Sequence, residues 1–161
     1  SMKVRENLDE LPAFELLQNG LPALLEQRPE LREGFNENGT PRDPALHAQA
    51  FRAILGQWTK GESSTTGIET FEAFKGRITQ EFLRAAALCN PGENALIVTS
   101  GGPVSIAMQH AVGFANDKVI DTAFSVANAS ISSFEVHENQ FSLLDFNQTA
   151  HLKDQDLVTF V

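Results

Sequence analysis

At 161 residues, with 42% hydrophobic and 20% charged side chains, the sequence has the makeup of one globular domain with its own core. A formal net charge of −9 argues against a broad footprint for nucleic acid, so an anionic ligand would need a locally positive site. Cys89 is the single cysteine, which excludes an internal disulfide and points to a reducing, cytoplasmic setting; no apolar run is long enough for a membrane span and no leader pattern opens the chain.

Leu16, Leu17, Leu21, Leu24 and Leu25 predict short helices, interrupted at Gly20-Leu21-Pro22 and again at Pro29. GFNENGTPRDP, residues 34–44, is a loop. Asp43 then stands where it can cap a helix whose first residue is Pro44. Leu46, Ala50, Phe51, Ile54, Leu55 and Trp58 lay an apolar face along that helix. A polar linker, KGESSTTG, occupies 60–67. Thr66 and Glu69 have capping-box spacing, with Thr66 as the cap. The next helix carries Phe71, Phe74, Ile78, Phe82 and Ala85 as one buried stripe and stops at Asn90-Pro91-Gly92.

Beyond this point strand and helix alternate. Ala95–Val98 reads as a buried strand, Pro103–Val112 as a helix closed by Gly113. SVANASISSFEVH (125–137) and FSLLDFNQ (141–148) read as strands joined at Glu138-Asn139-Gln140, and LVTFV as a last strand. Together these elements predict an α/β fold.

The turn between strand and helix, Thr99-Ser100-Gly101-Gly102, is the candidate site. A glycine turn opening a helix aims backbone N–H groups at one point, and the helix end adds partial positive charge, an arrangement suited to phosphate or carboxylate. It lacks the lysine and spacing of a Walker A loop, and Val98 stands where a nucleophile elbow needs glycine. The competing reading is a tight connection whose glycines serve only φ > 0 and close packing.

Four segments share a further pattern: Gly67-Ile68-Glu69-Thr70-Phe71 with Phe74, Arg77 and Ile78; ALIVTSGGPVSIAMQHAVG at 95–113; Ser125 to Ile131; and FSLLDFNQTAHL at 141–152. Together they resemble the histidine phosphatases, the phosphoglycerate-mutase-like superfamily, from about Asn7 to Val161. The resemblance implies a three-layer fold with a mixed sheet flanked by helices, incomplete at its N-terminal end. It implies one domain over 1–161, with a helical insertion at about 11–61 and a strand/helix core at about 66–161.

The family's chemistry uses a nucleophilic histidine in Arg-His-Gly, arginines and a second histidine around the phosphoryl oxygens, and a carboxylic acid for the leaving group. His47, His110, His137 and His151 each come after a residue other than arginine, so the nucleophile is not in this sequence. The second histidine's place falls on Ser100, which can donate a hydrogen bond but no charge. Asn7-Leu8-Asp9-Glu10-Leu11 resembles the family segment that supplies the proton donor, which falls on Glu10, with a surface carboxylate as the competing reading. Thr99, Ser100, Gly101 and Gly102 are the implied anion-binding residues.

Other residues have simpler readings. His151 is expected to bond loop backbone, and His110 to be a half-buried core histidine. His137 and Glu138 are expected in solvent at a hairpin turn. Arg77 is expected in a structural ion pair, Glu69 as a cap partner, and Trp58 in the core. No metal-ligand spacing occurs and no cofactor is expected. The expected protein is thus a truncated, catalytically inactive member with a vestigial phosphate or small-phosphoester site. It is also expected to self-associate, to cover an edge. The alternative is an active phosphatase or phosphomutase on a small phosphoester, with a nonstandard nucleophile or one supplied by another chain.

Overall fold

A computed structural model describes residues 3–62 and 67–160. The chain forms two compact units, one of Pro12–Phe71, the other of Ser1–Leu11 with Glu72–Val161.

In the first unit, helix α1 spans Ala13–Gln27 and helix α2 Pro44–Thr59, with a 3-10 turn at Pro29–Gly34 between them. The predicted break at Gly20-Leu21-Pro22 does not occur: α1 runs straight through Pro22. Leu16, Leu21 and Leu24 are buried along it. At roughly 1.5–3 kcal/mol for each buried side chain, they outweigh the roughly 3 kcal/mol of an interior proline. Gly20 permits close approach to α2, since a Cβ there would stand 3.0 Å from Ile54 Cγ2. Asp43 caps α2 as expected, its Oδ1 accepting from the N–H of Ala45 at 2.8 Å and of Leu46 at 3.3 Å. Ala50, Ile54, Leu55 and Trp58 form the buried face. Trp58 Nε1 donates to the Glu69 carbonyl at 2.9 Å, and its ring meets Phe71 edge-on. Thr66, the predicted cap, lies outside the described residues.

The second unit contains nearly all of helix α3 (Phe71–Ala87), then α4 (Gly101–Val112), α5 (Val119–Ser125), and strands β1 (Ile131–His137) and β2 (Gln140–Gln148). Phe74 and Ile78 are buried along α3, as the stripe predicts. Gly113 ends α4 in the left-handed region at φ 80°. Helix α4 packs on α5 and β2. Strands β1 and β2 pair antiparallel through a turn at Glu138 and Asn139, both at positive φ, with Gln140 already inside β2. Rings of Phe82, His110 and Phe134 surround the buried Phe141.

The fold is mixed α/β, but three predicted strands are corrected. Residues 119–125, VIDTAFS, form α5, so the first hairpin strand starts at Ile131 and not Ser125. Asn147 fastens that junction, accepting from Ala127 N and donating to the Ser125 carbonyl, each at 2.8 Å. Residues 158–160 are not a strand; Thr159 instead accepts from Asn128 N at 2.8 Å. Ala95–Val98 is neither strand nor buried: Leu96 is 88% exposed and Val98 89%. A strand is completed by a neighbour's backbone, and among the described residues β1 and β2 pair only with each other.

Candidate functional site

The site lies within the second unit, where the N-terminal segment meets the start of α4. Residues Glu6–Leu8 form a short 3-10 turn, and Arg77 on α3 holds the backbone from there to Glu10. One guanidinium nitrogen of Arg77 donates to the carbonyls of Asn7 and Asp9, both at 2.9 Å, and the other to that of Glu10 at 3.4 Å. The guanidinium also lies 4.9 Å from the Phe74 ring centroid, a cation–π distance. These bonds make Arg77 a clamp on backbone.

This clamp presents Glu10 to the glycine turn. Glu10 Oε2 accepts the Gly102 N–H at 3.0 Å, and Oε1 accepts the N–H of Leu11 at 2.8 Å. A Cβ at residue 102 would overlap the Glu10 carboxylate, so glycine is required for the approach. Gly101 is constrained separately: a Cβ there would sit 2.7 Å from the Ala123 carbonyl oxygen on α5. Thr99 Oγ1 donates to the Leu8 carbonyl at 2.8 Å, a second tie between turn and segment. Ser105 Oγ donates to the Gly102 carbonyl at 2.7 Å inside α4. Ser100, in the N-cap position, is extended and exposed, and its side chain makes no capping bond.

Glu10, Thr99, Gly101 and Gly102 are therefore drawn together, while Ser100 stands beside them facing solvent. In electrostatic terms, a carboxylate rests on the positive end of α4, where an incoming anion's oxygen would also be stabilised. A carboxyl group so placed can also donate a proton to a group held at the turn.

The histidines lie elsewhere. His110 is exposed and not half-buried, with Nε2 3.3 Å from the Asn139 carbonyl and its ring edge-on to Phe141. His151 Nε2 lies 2.9 Å from the Ala129 carbonyl, the backbone partner expected of it. His137 is exposed at the hairpin end, opposite Gln140. His47, in the first unit, packs against the Phe35 and Phe51 rings.

One polar cluster is not anticipated by the sequence motifs. Glu81 is only 3% exposed, and its carboxylate takes Arg5 Nε and Arg84 Nη1, each at 3.3 Å, and Asn7 Nδ2 at 3.2 Å. With Val4 and Glu6 these residues line an open cleft of about 350 Å³. A signal is present in the spacing: Glu81 comes three residues after Ile78, on the buried side of α3.

A glycine turn opening a helix beside an acid, in an α/β frame, is an architecture compatible with phosphoryl-group binding. The chain belongs to the histidine phosphatase superfamily: a family model for branch 1 of that superfamily matches residues 13–149. No curated protein and no solved structure matches it. The match includes Thr99–Gly102; Glu10 precedes it. No helix among the described residues is long and apolar enough to cross a membrane.

Proposed function

We propose that this chain is a histidine-phosphatase-fold protein that binds phosphate or a small phosphoester at Thr99–Gly102 without turning it over. The carrying observation is the Glu10 carboxylate on the Gly102 N–H, an internal anion occupying the position a phosphoryl oxygen would take. Absence of turnover is inferred from Ser100 at the second-histidine position and from no histidine in the sequence coming after an arginine. A neutral hydroxyl offers about half the bond strength of a charged donor to a phosphoryl oxygen. We further propose that residues 1–161 work as one domain, in the cytoplasm, and self-associate.

The test is an NMR titration with inorganic phosphate and with vanadate. Saturable amide shifts at Ser100, Gly101 and Gly102 are expected, and Glu10→Gln should tighten binding by removing the competing charge. Unchanged amides at the turn would refute the anion site. The second reading, an active phosphatase whose nucleophile comes from another chain, is favoured by the proximity of the Glu10 carboxyl group to the turn. It requires release of phosphate from p-nitrophenyl phosphate that Glu10→Gln abolishes. The first reading requires silence there, including in Ser100→His.

A further inference from the structure

We infer that Asn38 is a site of spontaneous covalent modification, at which the side-chain amide is lost to attack by the Gly39 backbone nitrogen. The site lies wholly within the first unit and is independent of the anion site proposed above. Two asparagines of the chain are followed by glycine, Asn19 and Asn38. A glycine has no Cβ to shield its nitrogen from the preceding side chain. The two pairs are alike in sequence, and the fold separates them. Asn19 is inside α1, where its Nδ2 donates to the Glu15 carbonyl at 2.8 Å. Gly20 is seated on α2 against Ile54. Freeing the Gly20 nitrogen therefore requires unwinding a packed helix.

Asn38 is exposed in the turn that precedes α2, and its side chain makes no hydrogen bond among the described residues. Its own N–H is taken by Asn36 Oδ1 at 3.0 Å, which leaves the amide group in water beside the next peptide. Gly39 stands at φ 75°, and its N–H makes one turn bond, to the Asn36 carbonyl at 2.9 Å. A surface turn bond of this kind opens locally, without the rest of the unit. The attacking nitrogen is thus released in the turn far more often than in the helix.

The chemistry needs only water and its base. The Gly39 nitrogen gives up its proton and forms a bond to Asn38 Cγ. The Cγ–Nδ2 bond breaks, and the amide nitrogen takes up a proton and leaves as ammonia. Water then opens the cyclic imide: attack at Cγ gives aspartate, attack at the main-chain carbonyl gives isoaspartate. Either product adds a carboxylate, and isoaspartate also lengthens the main chain by a methylene. The turn is closed across that point by Asn36 N on the Thr40 carbonyl at 2.9 Å and by Thr40 N on Asn36 Oδ1 at 2.7 Å. A longer chain between them cannot keep both bonds. Gly39 also rests over the buried Leu21, a Cβ there standing 3.7 Å from Leu21 Cδ2, so a loosened turn lifts from the core of its unit.

The experiment ages the full chain in mildly alkaline buffer and follows each asparagine by peptide mapping with electron-transfer mass spectrometry. Cleavage after Arg32 and Arg42 isolates residues 33–42, so Asn38 is read apart from Asn19. In the folded chain Asn38 should convert at least about tenfold faster than Asn19, with isoaspartate among its products. In urea the two rates should converge, since the fold alone separates them. Hydrogen exchange at Thr40 should quicken in the aged chain and stay unchanged in Asn38→Asp, which adds the charge without the methylene. Equal rates in the folded chain overturn the assignment, as does an Asn38 that stays intact there while the urea-unfolded chain converts it. Conversion to aspartate alone overturns the cyclic route. Exchange at Thr40 that is unchanged on ageing, or equally quick in Asn38→Asp, overturns the lengthened backbone as the cause of loosening.

Discussion

Glu10 and Gly102 are joined by one hydrogen bond that only the absence of a side chain at 102 allows. Gly102→Ala puts a methyl group where the carboxylate lies, but Glu10 is the exposed end of a flexible side chain and can swing away. The lost bond, about 1 kcal/mol, is set against about 1 kcal/mol of improved helix propensity. Single-variant stability should therefore change little. In a Glu10→Ala background only the gain remains, so a double-mutant cycle by urea denaturation should return a coupling of about 1 kcal/mol.

Gly101→Ala should behave differently. Its methyl group meets the Ala123 carbonyl oxygen at 2.7 Å, and backbone in α5 cannot rotate aside. We expect a loss of about 1–3 kcal/mol, the range for overpacking, by the same denaturation measurement. A cost no greater than that of Gly102→Ala would mean that α4 and α5 slide past one another easily.

Glu81 should matter more for order than for overall stability. Arg5 and Arg84 are both partly exposed and recover water if it is removed, and an apolar replacement spares the desolvation of the carboxylate. Glu81→Met should therefore stay within about 1 kcal/mol of the parent. It should also release Val4–Asn7, read as faster hydrogen exchange at Leu8, whose N–H donates to the Arg5 carbonyl. Unchanged exchange would show that Arg77 alone holds the segment.

At the hairpin, Glu138 sits at φ 48° and Asn139 at φ 66°, a pair of left-handed residues that suits asparagine better than glutamate. Glu138→Asn should raise stability by about 0.5–1 kcal/mol, seen as a higher thermal midpoint. A drop would show that Glu138 makes a compensating contact.

Acid should weaken the turn after α3. Glu93 accepts from Asn90 N at 2.9 Å and from Asn90 Nδ2 at 3.0 Å; those bonds, the backbone one foremost, hold its pKa below the ordinary 4.5. With the folded pKa below the unfolded one, the stabilisation is complete above the unfolded value and fades as pH falls through the folded value. NMR titration of the Glu93 carboxyl should show a midpoint below 4.5. Asn90→Asp replaces the amide donor with a second carboxylate and should move that midpoint upward.

What is legible in the sequence divides by how local the cause is. The Asp43-Pro44 start of α2, the Phe74–Ile78 stripe, the glycine end of α4 and the turn at Glu138-Asn139, expected one residue longer, are each determined within a few positions. Pro22 inside α1 defeats a local reading because leucine burial and the approach to Ile54, both tertiary, decide it. Ala95–Val98 has the composition of a strand, but pairing needs another backbone alongside, which composition cannot supply. At the candidate site, Gly101 and Gly102 are legible as close-approach positions. Which groups approach them, the Ala123 carbonyl and the Glu10 carboxylate, is a product of the fold.

The Arg77 clamp makes the candidate site depend on a helix that contributes no atom to the glycine turn itself. Three carbonyls of one short segment are fixed by a single side chain, where ordering each residue costs about 1–2 kcal/mol. The position of the Glu10 carboxylate is thereby referenced to α3, and the N–H it covers belongs to α4. Slack introduced anywhere along that line, in the segment or in the seating of α3, uncovers the same backbone donor. Occupancy of the Gly102 N–H is in effect a gauge of how tightly the chain's opening residues are wound onto the rest of their unit.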